Sequence, residues 1–149
     1  IAMHGSQGLR NIAEMAVLYA NYLLSKIKGT YTLPYDRKCM HEFVVEGVWE
    51  DAPGVRALDV SKRLIDYGAH PPTNYFPLIV HEALMIEPTE TESLESLDYF
   101  ADALLKIAEE AHTQPELLHE APHHSPVRRC DEVLAAKQLI LRTGPKPNA

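Results

Sequence analysis

The sequence predicts a protein of the α+β class, built as a two-layer sandwich in which a small antiparallel sheet carries helices on one face. Long stretches with apolar residues every three or four positions alternate with short segments of β-forming residues. The glycine-rich phosphate loop of a doubly wound parallel sheet does not occur in the sequence. A chain of 149 residues can bury one core without a second domain. The predicted order is helix, strand, helix, two strands, helix and an irregular extension.

The first helix is predicted from about Ser6 to Lys28. Gly29 follows its end, where a glycine in the left-handed conformation commonly terminates a helix. We expect so long a leading helix to continue from an upstream domain. Its apolar positions step by three or four residues and lie on one stripe: Leu9, Ile12, Ala16, Tyr19, Leu23 and Ile27.

A strand and a second helix are predicted next. The segment Tyr31–Asp36 contains a proline and suits an edge segment or a loop, whereas Met40–Glu46 is rich in β-formers and predicts a strand. The turn residues Asp51–Gly54 separate this strand from the second helix, which is expected to stop at Gly68. The apolar positions of that helix are Ala57, Val60, Leu64 and Tyr67.

A stiff connector and an antiparallel hairpin are predicted after the second helix. Pro71 and Pro72 favour extended backbone, because proline fixes its own φ and disfavours helix in the preceding residue. Two apolar runs follow, Tyr75–Val80 and Ala83–Ile86, separated by only two residues. So short a link between such runs favours an antiparallel pair, and Pro77 places the first run at an edge.

The third helix is predicted to begin at Thr89. Thr89 and Glu92 stand three residues apart as a capping box, and the acidic residues Glu90, Glu92 and Glu95 complement the helix dipole. Beyond Thr113 the chain is rich in proline and histidine. The apolar stripe of the third helix comprises Leu94, Leu97, Ala101, Leu104, Ala108 and Ala111.

The remaining residues, 114–149, predict an irregular C-terminal extension. Val133–Leu141 is expected to add a helical turn or two, and Gly144–Pro147 reads as a loose tail.

Charge and cysteine content exclude several classes of protein. The chain has 21 acidic and 14 basic residues and a formal charge of −7, which disfavours nucleic acid and anionic membranes as partners. Cys39 and Cys130 lie far apart and form no disulfide framework, so a reducing cytoplasm is predicted. No apolar run is long enough to span a bilayer, and the N-terminus lacks the pattern of a signal peptide.

Several short segments of the sequence, taken in chain order, resemble one enzyme family. They are Gly8-Leu9, Met15–Leu18, Ala20–Leu23, His41–Phe43, Asp59–Gly68, Tyr67–Thr73, Leu84–Glu92, Ala121–His123 and Pro126–Arg129. The segments are similar to the C-terminal part of the glycine-cleavage P-protein, a glycine dehydrogenase (decarboxylating), and most of all to its bacterial subunit 2. The sequence departs from the family pattern at Ala69, usually phenylalanine, and at His81, often proline in bacterial members.

This resemblance implies a role in a larger enzyme. Residues 1–29 would be a helix leading from an absent large domain, residues 30–113 a small domain like those of fold-type I pyridoxal phosphate (PLP) enzymes, and residues 114–149 an extension. The family decarboxylates glycine and passes the aminomethyl group to a lipoylated H-protein. PLP is held in the large domain, and bacterial enzymes also have a separate subunit 1. The family's catalytic lysine would precede Ile1. None of the lysines here falls in a matching motif: Lys26, Lys28, Lys38, Lys62, Lys106, Lys137 and Lys146.

We therefore expect the chain by itself to be inactive and to bind no PLP. Loops at strand ends are where active-site residues collect, so the resemblance and position together nominate residues of an active-site wall. These residues are His70, Thr73, Glu87, Thr89 and Arg128.

Each nominated residue also has a structural interpretation. His70 follows a helix end and could bond an orphan carbonyl, Thr89 could serve only as an N-cap, and Glu87 could be an ordinary solvated charge. The guanidinium of Arg128 suits a substrate carboxylate but also an acidic residue of the absent domain.

Two alternatives remain at the level of sequence. His119, His123 and His124, with Cys130 nearby, have the residue types of a zinc site and would fit a metal-dependent hydrolase, but the resemblance explains this segment without metal.

The second alternative is that the chain is a stand-alone small α+β module that binds a ligand or partner without catalysis. A severed domain is expected to expose a large apolar patch, or to form a homodimer through it, and an independent module is not.

Overall fold

The computed structural model describes residues 1–141 and Gly144. Over this range the chain forms five helices and three strands, and the predicted α+β class is confirmed. The predicted tail Gly144–Pro147 lies, apart from Gly144, outside the described residues. In chain order the elements are α1 Gly5–Ile27, β1 Phe43–Glu46, α2 Ala57–Asp66, β2 Thr73–Asn74, β3 Ala83–Ile86, α3 Leu94–Thr113, α4 Pro115–His119 and α5 Glu132–Lys137.

The three strands form one antiparallel sheet with the order β1-β3-β2. Phe43 pairs with Ile86 and Thr73 pairs with Met85, so β1 and β2 begin where β3 ends. We call this end of the sheet the connector end, because the residues that join α2 to β2 reach it. The opposite end of the strands, where residues 75–82 join β2 to β3, is the loop end.

The hydrophobic core lies between this sheet and the helices. Helix α3 packs against α1, α2 and α4, and α2 also packs against α4. Leu64, Leu84 and Leu104 are completely buried, and the hydroxyl of Tyr31 donates a 2.8 Å hydrogen bond to the Leu104 carbonyl. Burial of these side chains is the main source of stability.

Helix α1 is buried only over its last third. Its fully buried side chains are those of Ala20, Leu23, Leu24 and Ile27, and residues 5–19 add none. We call residues 5–19 the projecting half of α1. The helix matches its predicted bounds within a residue at each end. No helix in the described part of the chain is long and apolar enough to cross a membrane.

The strand predicted at Tyr75–Val80 is wrong. Pairing with β3 begins and ends earlier, in β2, although the antiparallel direction and β3 itself are confirmed. Tyr75 and Glu82 have φ angles of 67° and 46°, which an extended strand cannot contain, so residues 75–82 form a loop. The apolar side chains of this run are also not buried, since Leu78 is 78% and Ile79 is 80% exposed.

The capping box predicted at Thr89 and Glu92 is also wrong. The N-cap of α3 is Ser93, whose Oγ accepts from the Ser96 amide at 3.0 Å while Ser96 Oγ accepts from the Ser93 amide at 2.9 Å. A helix begun at Thr89 would add residues before Leu97, the first buried residue of the stripe, where burial does not support a helix.

The start of the C-terminal extension is more regular than predicted. Helix α4 was not expected from the sequence, yet its Leu118 and the following Ala121 are fully buried. Helix α5 confirms a short helix near the predicted Val133–Leu141 but has no buried residue. The division of the chain at Thr113 stays a prediction.

Candidate functional site

A groove of about 550 Å³ opens at the connector end of the sheet. Its walls are the connector residues 68–72, the segment that follows β3, the first turns of α3, and Leu23 of α1. The groove brings together three of the five residues nominated from the sequence, His70, Glu87 and Thr89. It is therefore the best candidate for a functional site.

The end of α2 places His70 at the edge of this groove. Gly68 has a φ of 71°, a left-handed value that favours glycine, and it turns the chain out of the helix. The Gly68 amide donates to the Ile65 carbonyl at 2.9 Å, and the Ala69 amide donates to the Leu64 carbonyl at 3.0 Å. The stop predicted at Gly68 is thus confirmed, and the two prolines that follow His70 keep the chain extended as far as β2.

The facing wall carries an acidic and hydroxyl-rich rim. A carboxylate oxygen of Glu87 lies 3.9 Å from His41 Nε2, which is a loose and exposed pairing. Thr89 Oγ1 shares a 2.7 Å hydrogen bond with Thr91 Oγ1, and Ser96 donates to Glu92 at 2.8 Å. The described lining contains neither lysine nor arginine, so the groove offers no amine for a cofactor aldehyde and no cation for a phosphate. These residues do not fit a complete PLP site.

The other two nominated residues lie outside the groove lining. Thr73 begins β2 and is exposed beside its partner Met85. Arg128 is exposed and its Nη2 donates to the Glu120 carbonyl at 2.6 Å. The structure thus assembles His70, Glu87 and Thr89 and leaves Thr73 and Arg128 apart, and the roles of all five stay predictions.

A buried ionic cluster that the sequence reasoning missed stands behind the connector. The carboxylate of Glu110 accepts from Arg63 Nε at 2.9 Å and Nη2 at 3.0 Å, and from the Tyr67 hydroxyl at 2.7 Å. The hydroxyl of Tyr99, which lines the groove, donates to the Tyr67 carbonyl at 2.5 Å. An acidic residue beside the apolar stripe of α3 was the signal that could have revealed this cluster.

The electrostatics of this cluster follow from burial and pairing. Burial tends to raise the pKa of Glu110, but the Arg63 and Tyr67 hydrogen bonds outweigh it and hold that pKa below its ordinary value. Burial and the adjacent Glu110 carboxylate raise the pKa of Tyr67 to about 12. Glu110 is therefore charged, and Tyr67 is a hydrogen-bond donor, across the physiological range.

Two carboxylates of α2 fasten the C-terminal extension to the core. Asp66 Oδ1 accepts from the backbone amides of His123 and His124 at 2.6 and 2.9 Å, and Asp59 Oδ1 lies 2.7 Å from Arg129 Nη2. Burial tends to raise the pKa of Asp66, but those amides and Arg63 lower it overall. Residues 123–129 are thus held by two main-chain amides and one arginine side chain that contact carboxylates of α2.

Two histidine side chains of this extension make structural contacts, one within the extension and one with α2. His123 Nε2 lies 2.8 Å from the Leu117 carbonyl, and His119 Nδ1 lies 3.5 Å from Asp59 Oδ2. Within the described part of the chain, no three His, Cys, Asp or Glu side chains are grouped as metal ligands. Cys130 is exposed and unpaired with Cys39.

The fold defines a small α+β domain of a kind found inside a larger enzyme. It resembles part of a crystal structure of glycine decarboxylase (P-protein) of the glycine cleavage system in inhibitor-bound form, with a TM-score of 0.60 and 20% identity over 71% of this chain and 23% of that one. A model of the glycine dehydrogenase C-terminal domain matches residues 12–126. The chain therefore belongs to the family of glycine dehydrogenase C-terminal domains, as the sequence resemblance predicted.

Curated relatives carry this domain within longer chains. The probable glycine dehydrogenase (decarboxylating) subunit 2 of Caldanaerobacter subterraneus subsp. tengcongensis is 63% identical over 138 residues, which are 93% of this chain and 28% of the relative. The protein of the same name from Alkaliphilus oremlandii is 61% identical over 134 residues, 90% of this chain and 28% of the relative. The chain thus spans little more than a quarter of the length of these relatives.

Proposed function

We propose that this chain is the small domain of a PLP-dependent glycine decarboxylase, subunit 2 of the glycine cleavage P-protein, and that it forms one wall of the active site. The larger remainder of the subunit holds PLP, which supplies an electron sink when carbon dioxide leaves glycine. The complete enzyme works in the cytoplasm with a subunit 1 and passes the aminomethyl group to a lipoylated H-protein. The chain alone is inactive, because none of its lysines matches the family's catalytic motif.

The observation that carries this proposal is the position of the groove at the buried end of the apolar stripe of α1. Leu23 lines the groove, and the same apolar stripe continues outward through Tyr19, Ala16, Ile12 and Leu9. Of these residues Leu9 is exposed and the other three are only partly buried, and a partly apolar groove that continues into such a stripe suits a surface that closes against a larger neighbour. The matched residues make up only 28% of the curated relatives, so those proteins have additional chain that could cover this surface.

Within this wall, His70 is the residue we assign to the substrate side. It stands exposed on a stiff connector at the groove edge, where its ring is free to reach a group presented by the neighbouring domain. Glu87 and Thr89 form the facing rim. Thr73 and Arg128 are kept as second candidates, and Arg128 would have to leave the Glu120 carbonyl in order to bind a carboxylate.

A chimeric enzyme tests the proposal. The matching C-terminal region of the Caldanaerobacter subunit 2 is replaced by this chain, and release of labelled carbon dioxide from carboxyl-labelled glycine is measured with subunit 1 and lipoylated H-protein present. We expect turnover from the chimera and none from the 149-residue chain alone. A folded but inactive chimera, or decarboxylation by the chain alone, would show the proposal to be wrong.

The role of His70 is tested in the same chimera. His70→Ala is expected to lower kcat/KM for glycine about tenfold, which corresponds to roughly 1.4 kcal/mol of transition-state stabilisation. His81→Ala is the matched control, because His81 lies in the loop at the opposite end of the sheet and should leave kcat/KM unchanged. If His70→Ala and His81→Ala changed kcat/KM equally, the role assigned to His70 would be wrong.

A further inference from the structure

The connector that carries His70 is held from behind by a chain of hydrogen bonds. This series of hydrogen bonds begins at the buried Glu110 of α3, passes through Tyr67 at the end of α2, and reaches Tyr99 on the groove wall. Glu110 and Tyr99 both belong to α3, so a single rigid helix holds the end of α2 at two points.

Tyr67 is fixed through its side-chain hydroxyl and its backbone carbonyl. Its hydroxyl donates to Glu110 at 2.7 Å, and its carbonyl accepts from the Tyr99 hydroxyl at 2.5 Å. The next residue is Gly68, where the chain turns out of the helix, and His70 follows two residues later. These two hydrogen bonds immobilise Tyr67, and Tyr67 thus sets the direction in which the connector leaves α2.

Glu110 is suited to this task because it is both buried and charged. Only 6% of its surface is exposed. Its carboxylate oxygens accept hydrogen bonds from two guanidinium nitrogens of Arg63 and from the Tyr67 hydroxyl. A two-pronged arginine–carboxylate pair fixes the orientation of both partners more narrowly than a single hydrogen bond does. The neighbouring Glu109 makes only an exposed pair with Lys106 on the same helix.

We propose that Glu110 and Tyr99 are positioning residues that act through Tyr67 to hold the connector and thereby place His70 in the active-site wall. The placement of His70 for reaction rests on the proposed function, whereas the immobilisation of the connector is a property of this chain alone. The two parts are therefore separable by experiment.

Hydrogen exchange on the isolated chain tests the immobilisation. The Gly68 and Ala69 amides are hydrogen-bonded and report directly on the connector. Tyr99→Phe and Glu110→Gln are each expected to speed exchange at both amides at least fivefold. Tyr99→Phe should leave the amides of the α3 core unchanged, and Glu109→Gln should change nothing. Unchanged connector amides in the Tyr99→Phe variant would overturn the proposal whatever the enzyme does.

A double-mutant cycle in the chimeric enzyme tests the link to His70. Tyr99→Phe alone should lower kcat/KM for glycine about fivefold, but should cause no further loss when added to His70→Ala, because the two residues act as one unit. A merely structural role would give independent losses that multiply in the double variant, and that outcome would overturn the proposal. An inactive wild-type chimera would instead count against the proposed function and leave the exchange result to decide the immobilisation.

Discussion

The two long helices of this domain have similar lengths and similar apolar stripes but very different surroundings. Helix α3 buries Leu97, Ala101, Leu104, Ala108 and Ala111 along most of its length, whereas α1 buries side chains only from Ala20 onward. The difference extends to the helix starts. Ser93 caps α3 with its side chain, and His4 at the start of α1 makes no such bond.

This contrast shows what an apolar stripe does and does not establish. The three- and four-residue spacing fixes which face of a helix is apolar, because the backbone geometry dictates it. It does not say what covers that face. In α3 the cover is α1, α2 and α4 of the same chain, whereas the projecting half of α1 has only partly buried and exposed residues. A stripe that the chain covers only in part is the feature that the proposed larger neighbour would explain.

The largest expected effect compares equivalent leucines of the two helices. Leu104→Ala should lower the free energy of unfolding by about 2–5 kcal/mol, because Leu104 is completely buried and truncation leaves a cavity. Leu9→Ala in the projecting half should change it by less than about 0.5 kcal/mol. Urea unfolding of the isolated chain measures both values.

A control within α1 sharpens this comparison. Leu23→Ala lies on the same stripe as Leu9 but is buried, so its cost should approach that of Leu104→Ala. If Leu9→Ala were as costly as Leu23→Ala, the projecting half would be packed in the isolated chain, and the contrast between the helices would fail.

A smaller effect is expected at the start of α3. Ser93→Ala removes the side-chain acceptor for the Ser96 amide and should cost about 1 kcal/mol. Thr89→Ala removes only an exposed hydroxyl pair with Thr91 and should cost much less. Thermal unfolding of the two variants decides which residue begins the helix, and a larger loss at Thr89 would restore the capping box predicted from the sequence.

The smallest effect is expected at the last turn of α3 and depends on pH. The Ala108 carbonyl, and to a lesser extent Asp51, raise the pKa of His112 above its ordinary 6.5. Because the folded-state pKa is the higher one, the stabilisation is complete below pH 6.5 and is lost as the pH rises through the folded-state value. The stability difference between the native chain and His112→Gln should therefore be larger at pH 6 than at pH 8. Equal differences in urea unfolding at the two pH values would contradict this assignment.

Much of the fold was predictable because local rules decide it. Gly68 and the stripe of α2 gave the end and the face of that helix, and proline fixed the extended connector. The failures occurred where two local rules competed. Tyr75–Val80 has a strand composition, but the left-handed backbone of Tyr75 ends the strand pairing at the start of this run. Thr89 and Ser93 both satisfy the pattern of an N-cap.

The candidate site was predictable only in part, for a different reason. His70, Glu87 and Thr89 were nominated from a resemblance, and the groove then brought them together. Glu110 and Tyr99 could not be nominated in this way, because their importance depends on contacts between α2 and α3 that are distant in sequence. Long-range hydrogen bonds leave little trace in local patterns.

The fastening of the last segment by Asp59 and Asp66 bears on where the domain can be cut. A shortened polypeptide that stops at Thr113 would lack Leu118 and Ala121 from its interior, and Asp66 would lose two amide donors and Asp59 its arginine partner. Asp66 would then depend on Arg63 and Asp59 on the Arg56 amide, beside a newly opened apolar hollow. A minimal autonomous version of the domain therefore has to retain the chain through Arg129.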